Sequence, residues 1–303
     1  MKNKNKKEIS LKHYSAPRAF FRSILLPYTS GSVWKLIFTV LKDFFFLQLH
    51  QKFHFTKRPI INVDTEIDKK IPFRPEQVKT YLSFIDFFIR PVDMMEKRLG
   101  YKKSSQYVCI YLNFLSKIYK NAASIYRFCM TTTSRPKYYK NQKFRAIHFF
   151  DPHLLCVPSL HVAISAGVYA WFQQFFKIEN FPQEEADIYL SEIKKDATSI
   201  VESVLFVKQH SVNCIPLALY MLSSTMGKSF FSVQDAIAFI ENLFLNSEEI
   251  SPEDRADIIE YFIYMYDRAL LESKYSSDWQ NCIRHWLIDF AKATGQNINL
   301  SAE

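Results

Sequence analysis

Glycine is scarce in this chain, at five residues in 303. That scarcity excludes the Gly-rich loops that cradle nucleotides. Neither G-x-G-x-x-G nor G-x-x-x-x-G-K-[ST] occurs, and G-x-S-x-G and H-E-x-x-H are missing as well. Cysteine is equally sparse: Cys109, Cys129, Cys156, Cys214 and Cys282 are widely and irregularly spaced, with no C-x-x-C. They read as small apolar residues of a reducing compartment, not as a disulfide framework or a zinc site. Long uncharged runs are also few. Only residues 152–176 and 209–227 are long stretches without Lys, Arg, Asp or Glu, and the mean hydropathy is slightly negative at -0.12. No internal repeat, low-complexity linker or coiled-coil heptad is present.

What the chain does have is aromatic bulk, with 28 Phe and 17 Tyr. With 48% hydrophobic and 23% charged residues, it is expected to fold, and to do so as packed helices. The net charge of +9 permits attraction to nucleic acid, phosphorylated small molecules or anionic lipid without choosing among them. It is unevenly spread. Residues 1–22 carry Lys2, Lys4, Lys6, Lys7, Lys12, Arg18 and Arg22 against one acid, Glu8. This basic arm runs into Leu- and Phe-rich sequence, a combination that suits the face of an anionic membrane. The apolar stretch from Ser23 soon meets Pro27 and Gly31 with no small-residue cleavage site after it, so it does not read as a signal peptide.

Helical periodicity is expected over 76–96, 105–130, 159–177, 184–208, 216–224, 233–245 and 252–272. At the last of these, Ser251 reads as N-cap, Pro252 as first helical residue, and Glu253 and Asp254 as acids favouring the positive helix end. The polar stretch 57–77, with three prolines, reads as a separator between N-terminal helical material and the next helix. Three segments follow: a basic N-terminal arm and helical segment over 1–64, a helical core over 65–225, and an acidic C-terminal helical subdomain over 226–303 that packs on the core.

Two histidines open the uncharged runs. His161 follows Pro158 and Ser159, where free backbone N–H groups and a hydroxyl at a helix start can hold a phosphate oxygen. His210 follows Lys208, two residues earlier and on a different helical azimuth, so the two meet one ligand only at a helix end or in a groove. Arg135, before Pro136, supplies a guanidinium fork suited to phosphate. For any one of these residues alone, an ordinary core role is the simpler reading.

Together, TTTSRP at 131–136, CVPSLHVAIS at 156–165 and SVLFVKQH at 203–210 resemble, in order and spacing, the three phosphate-site motifs of the type 2 phosphatidic acid phosphatase superfamily. They are most similar to the branch whose last motif holds a KQH string. IPFRPEQVKTYLSFID at 71–86 resembles the IPF segment preceding a membrane helix in that branch. The resemblance covers roughly residues 65–225. It implies an all-α bundle, embedded in a membrane as a multi-pass protein of the cytoplasmic or inner membrane, that needs no metal or cofactor. Its substrate would be a lipid phosphate, a phospholipid headgroup or another phosphate ester. By the same resemblance Arg135, Ser159 and Lys208 would bind phosphate, His161 would protonate the leaving alkoxide, and His210 would attack phosphorus to form a phosphohistidine that water or an alcohol then relieves.

Three positions depart from the family pattern: Phe128 stands where a lysine is expected, Val204 where an arginine is, and Cys214 where the acid that orients the nucleophile is. Asn213 is the neighbouring group able to orient His210 in its place. These departures keep a second reading open, a phosphatase-like protein that binds a phosphate or headgroup with little or no turnover. A nucleic-acid binder is not expected, because the bases do not cluster around aromatic platforms.

Overall fold

The computed structural model describes residues 9–138, 140–227, 229–276 and 278–298. Residues 1–8 of the basic arm lie outside the described residues. The helices are α1 Ala16–Leu25, α2 Pro27–Val40, α3 Leu47–Lys52, α4 Val78–Leu82, α5 Phe84–Leu99, α6 Tyr101–Tyr126, α7 Gln142–Phe150, α8 Leu160–Ile178, α9 Gln183–Phe206, α10 Cys214–Met226, α11 Val233–Glu241, α12 Pro252–Ser273 and α13 Trp279–Ala293. A π-helical turn, Leu41–Phe46, joins α2 to α3 without a break. The only strands among the described residues are β1 Ile60–Asn62 and β2 Met130–Thr132.

The two uncharged runs become the centre of the molecule. From Cys214 to Ser223 every residue of α10 is buried, and α8 buries residues around its whole circumference, as expected of helices with neighbours on all sides. Packed around them are α5, α6, α9, α12 and α13. Gly167 allows the closest of these crossings, because a Cβ there would come within 2.8 Å of Phe114 Cζ. The acidic C-terminal part uses the expected cap, with Ser251 Oγ accepting from the Asp254 amide at 3.0 Å.

The 57–77 stretch does more than separate helices. β1 pairs in parallel with β2, Ile60 opposite Met130 and Asn62 opposite Thr132, so the helix expected to reach 130 stops at Tyr126. Thr131 then bridges to Leu155, and its Oγ1 accepts from the Val157 amide at 2.7 Å. The outer side of β1 is held by the Gln296 side chain, which accepts from Asn62 N at 2.7 Å and donates to Asn62 O at 2.8 Å. This small sheet brings the 131–136 and 156–165 segments side by side.

The N-terminal layer has a different character. On α1, Arg18 and Arg22 pair with Asp93 and Glu96 of α5, and α2 lies along α6. The chain turns by 107° between Ala16–Leu25 and the continuous helix Pro27–Lys52. No single helix among the described residues is long and apolar enough to cross a membrane; this bent pair reaches the necessary length and composition only when taken together.

Candidate active site

His210 sits just past the end of α9. There the chain reverses through Lys208, in the left-handed region at φ 54, and the amides of Gln209 and His210 both donate to Val204 O, at 3.0 and 3.2 Å. His210 Nδ1 lies 3.2 Å from the Cys156 carbonyl. A carbonyl only accepts, so the proton is on Nδ1 and Nε2 carries the lone pair. That lone pair faces Ser159 Oγ at 3.5 Å. Ser159 is also the N-cap of α8, accepting from the Val162 amide at 3.4 Å. Burial pulls His210 down to about 4, offset in part by the Cys156 carbonyl, so the ring is neutral at pH 7.

His161, in the first turn of α8, puts its ring centroid 5.5 Å from that of His210. It is held by packing: its ring stacks on Tyr81 at 4.7 Å and meets Phe84 at 4.4 Å. Burial, and then the neighbouring His210, push it far toward the neutral form.

The expected cations are nearby but engaged. Arg135 donates to Gln209 Oε1 at 3.0 Å and to the Asp151 carbonyl at 3.1 Å, with the Asp151 carboxylate 3.9 Å away. Lys208 Nζ donates to the carbonyls of Asp68 and Ile71 at 2.7 and 2.5 Å, and burial lowers its pKa. Both still line a cavity of about 550 Å³ shared with Asp64, Lys69, Ser134 and His210. On the far side of the histidines an apolar cleft of about 200 Å³ runs between Phe45, Tyr81, Leu82, Phe84 and Ile85 and ends at His161. A narrow space of about 30 Å³ joins the two through His153, Gln209, His161 and His210. Thus Arg135, Lys208 and His210 share one cavity, Ser159 touches His210, and His161 faces the apolar side.

Asn213 does not take the expected place. Its Nδ2 donates to Val63 O at 2.9 Å and its Oδ1 accepts from Tyr261 OH at 2.6 Å. Both polar ends are therefore spent on scaffolding, and the neutral Cys156 carbonyl orients His210 instead. The carboxylate bonded to the loop that carries His210 is Asp68. It accepts from Ser211 Oγ at 2.8 Å and from the Val212 amide at 2.9 Å, so it braces the loop that carries His210 and not the ring itself.

Sequence reasoning also missed His153, Asp151 and Gln209. His153 is buried and left-handed, at φ 62, with Nε2 2.7 Å from Thr133 Oγ1. Burial, then the charge of Arg135, push its ring to the neutral form. The string Asp151-Pro152-His153 at the edge of an uncharged run was the signal available. Among the described residues no group of three or more His, Cys, Asp or Glu side chains is placed to hold a metal ion. Comparison with known proteins adds no relative: no family model, no curated protein and no solved structure matches this chain.

Proposed function

We propose that the chain is a phosphoric monoester hydrolase or phosphotransferase acting on a lipid phosphate or phospholipid headgroup, built on a phosphatidic acid phosphatase type 2-like bundle. The observation that carries this reading is the histidine pair: His210, with a fixed tautomer and an unprotonated Nε2, beside His161 at 5.5 Å between ring centroids. In the proposed reaction the phosphate lies in the polar cavity, gripped by Arg135 and steadied by Ser159. His210 Nε2 attacks phosphorus, a P–N bond forms, the P–O bond to the leaving group breaks, and His161 gives its proton to the departing alkoxide. Water or an alcohol then attacks phosphorus, the P–N bond breaks, and His161 takes the incoming proton. Without ligand both rings are neutral. A phosphate dianion beside them raises the proton affinity of His161, so the substrate itself charges the acid.

A second reading, a headgroup-binding protein with weak turnover, is favoured by one feature: a neutral carbonyl, not a carboxylate, orients His210. It cannot support a developing imidazolium with charge, and loss of a carboxylate orienter in a serine protease lowers the rate by about 10⁴. Incubation of the purified protein with a lipid phosphate and a soluble aryl phosphate, followed by acid-labile, base-stable phosphohistidine detection, separates the two. Phosphorylation of wild type but not of His210→Ala supports the enzyme; binding without any covalent phosphate supports the receptor.

A further inference from the structure

The N-terminal layer is inside out. Along the continuous helix Pro27–Lys52, the buried positions include Thr29, Thr39, Asp43, Gln48 and Gln51, while Tyr28, Trp34, Phe38, Phe45 and Phe46 are exposed. The polar side chains are satisfied within the protein: Thr29 donates to Ser23 O at 2.8 Å, Asp43 pairs with Arg127, and Gln48 accepts from the Leu154 amide at 3.1 Å. Trp34, Phe38 and Phe45, four and seven residues apart, share one helix face, with Trp34 and Phe38 in ring contact at 6.2 Å and the exposed Lys35 and Lys42 flanking them. A helix in water turns its polar stripe outward. This one turns aromatics outward with lysines beside them, the pattern of a helix that faces a membrane interface.

Charge identifies the occupant. Residues 9–63 carry eight Lys and Arg and a single acid, the buried Asp43, which suits an anionic lipid surface. The neighbouring helices set the orientation. On α6 the exposed row is polar but for Ile110 and includes Lys102, Lys103, Lys117 and Lys120, and α9 exposes Glu184, Asp187, Lys195 and Asp196. If the roughly 39 Å helix 27–52 crossed a bilayer, α6 packed along it would take four lysines into hydrocarbon. Lying in the membrane plane, the aromatic stripe is immersed while α6 and α9 stay in water. The apolar cleft beside His161 opens at Phe45, Leu82 and Ile85, all exposed, and so adjoins the stripe.

We propose that the outer face of α1–α3 is a one-sided, in-plane insertion surface for an anionic bilayer, bringing the mouth of the apolar cleft against the lipid. This deepens the reading above by stating how the site reaches its substrate, but it is measured without turnover. Full-length protein is floated with vesicles of phosphatidylcholine containing one quarter phosphatidylglycerol, and with phosphatidylcholine alone. Wild type should float with the anionic vesicles and remain bound, several-fold weaker, in 1 M salt. Its fluorescence should be quenched by lipids brominated on the acyl chain, and Trp34→Phe should remove most of that quenching. The double variant Tyr28→Glu/Phe38→Glu should lose at least ~10-fold in partitioning, whereas Tyr264→Glu/Leu271→Glu, at exposed apolar sites of α12, should bind as wild type. Thermal melts show that both variants are folded. The proposal is overturned if wild type stays out of the vesicle fraction, if salt releases it completely, if the α2 variant binds normally, or if that variant merely dissolves a dimer formed in the absence of lipid. Loss of phosphorylation with vesicle binding intact would sink the enzymatic reading alone.

Discussion

The two histidines of the site are alike in chemistry and unlike in support. His210 is held by hydrogen bonds: its own amide to Val204, its ring to Cys156, and its loop to the Asp68 carboxylate. His161 is held by packing, between Tyr81 and Phe84. Hydrogen bonds specify which nitrogen carries the proton; aromatic contacts fix where a ring lies but leave its protonation open. The first arrangement suits a nucleophile, the second a group that must gain and lose a proton.

The largest expected effect separates these roles. His210→Ala should lower turnover by about 10⁴ or more on every phosphate ester, while His161→Ala should cost roughly 10²–10⁴ on alkyl esters and much less on aryl esters, whose leaving group needs no proton. Steady-state rates on a matched alkyl and aryl pair check this; equal losses on both substrates would erase the distinction.

Next comes the carboxylate at position 214. Cys214 is fully buried and His210 Nδ1 already has a partner, so Cys214→Asp should not raise activity. It should lower stability by about 2–5 kcal/mol, the cost of an unpaired buried acid, measured by urea unfolding. A gain in turnover would show that the ring can leave Cys156 for an acid.

A smaller effect follows from pH. His210 has a folded pKa near 4 against about 6.5 unfolded, so only the unfolded chain takes up the proton between those values. The penalty is absent above about pH 6.5, grows as pH falls, and levels off near 4 at about 3 kcal/mol. His153 and His161 act in the same direction. Unfolding free energies from pH 7 to 4.5 should fall, and less steeply for His210→Gln.

The smallest is Tyr261→Phe. It unpairs Asn213 Oδ1 and should cost about 1 kcal/mol with no change in the pH profile of any activity, because Asn213 serves the scaffold and not the ring.

Much of this was legible from charge. The two uncharged runs became α8 and α10, and Ser251, Pro252 and Asp254 begin α12 as read. The order of the three motifs was visible too, the first falling on β2 and the loop after it, the second at the start of α8 and the third at the end of α9. Three things were not. The inverted burial of Pro27–Lys52 cannot be seen in a sequence whose polar residues carry no label of which way they face. The short sheet depends on pairing residues 60–62 with 130–132 across the chain, which periodicity does not encode. Asn213 was assigned by adjacency to His210, yet five residues past the left-handed Lys208 its side chain points to Val63 and Tyr261. α13 lies beyond the last helix expected from periodicity but within the C-terminal segment expected to be helical, and its Trp279, Cys282, Ile283, Trp286 and Leu287 fall at helical spacing.

Gln296 behaves as a substitute strand, closing both backbone groups of Asn62 from 234 positions away. During synthesis β1 emerges early, but its second partner is made only when residue 296 is reached. The outer edge of β1 is thus completed last, by contacts that span 234 positions, and such contacts form slowly.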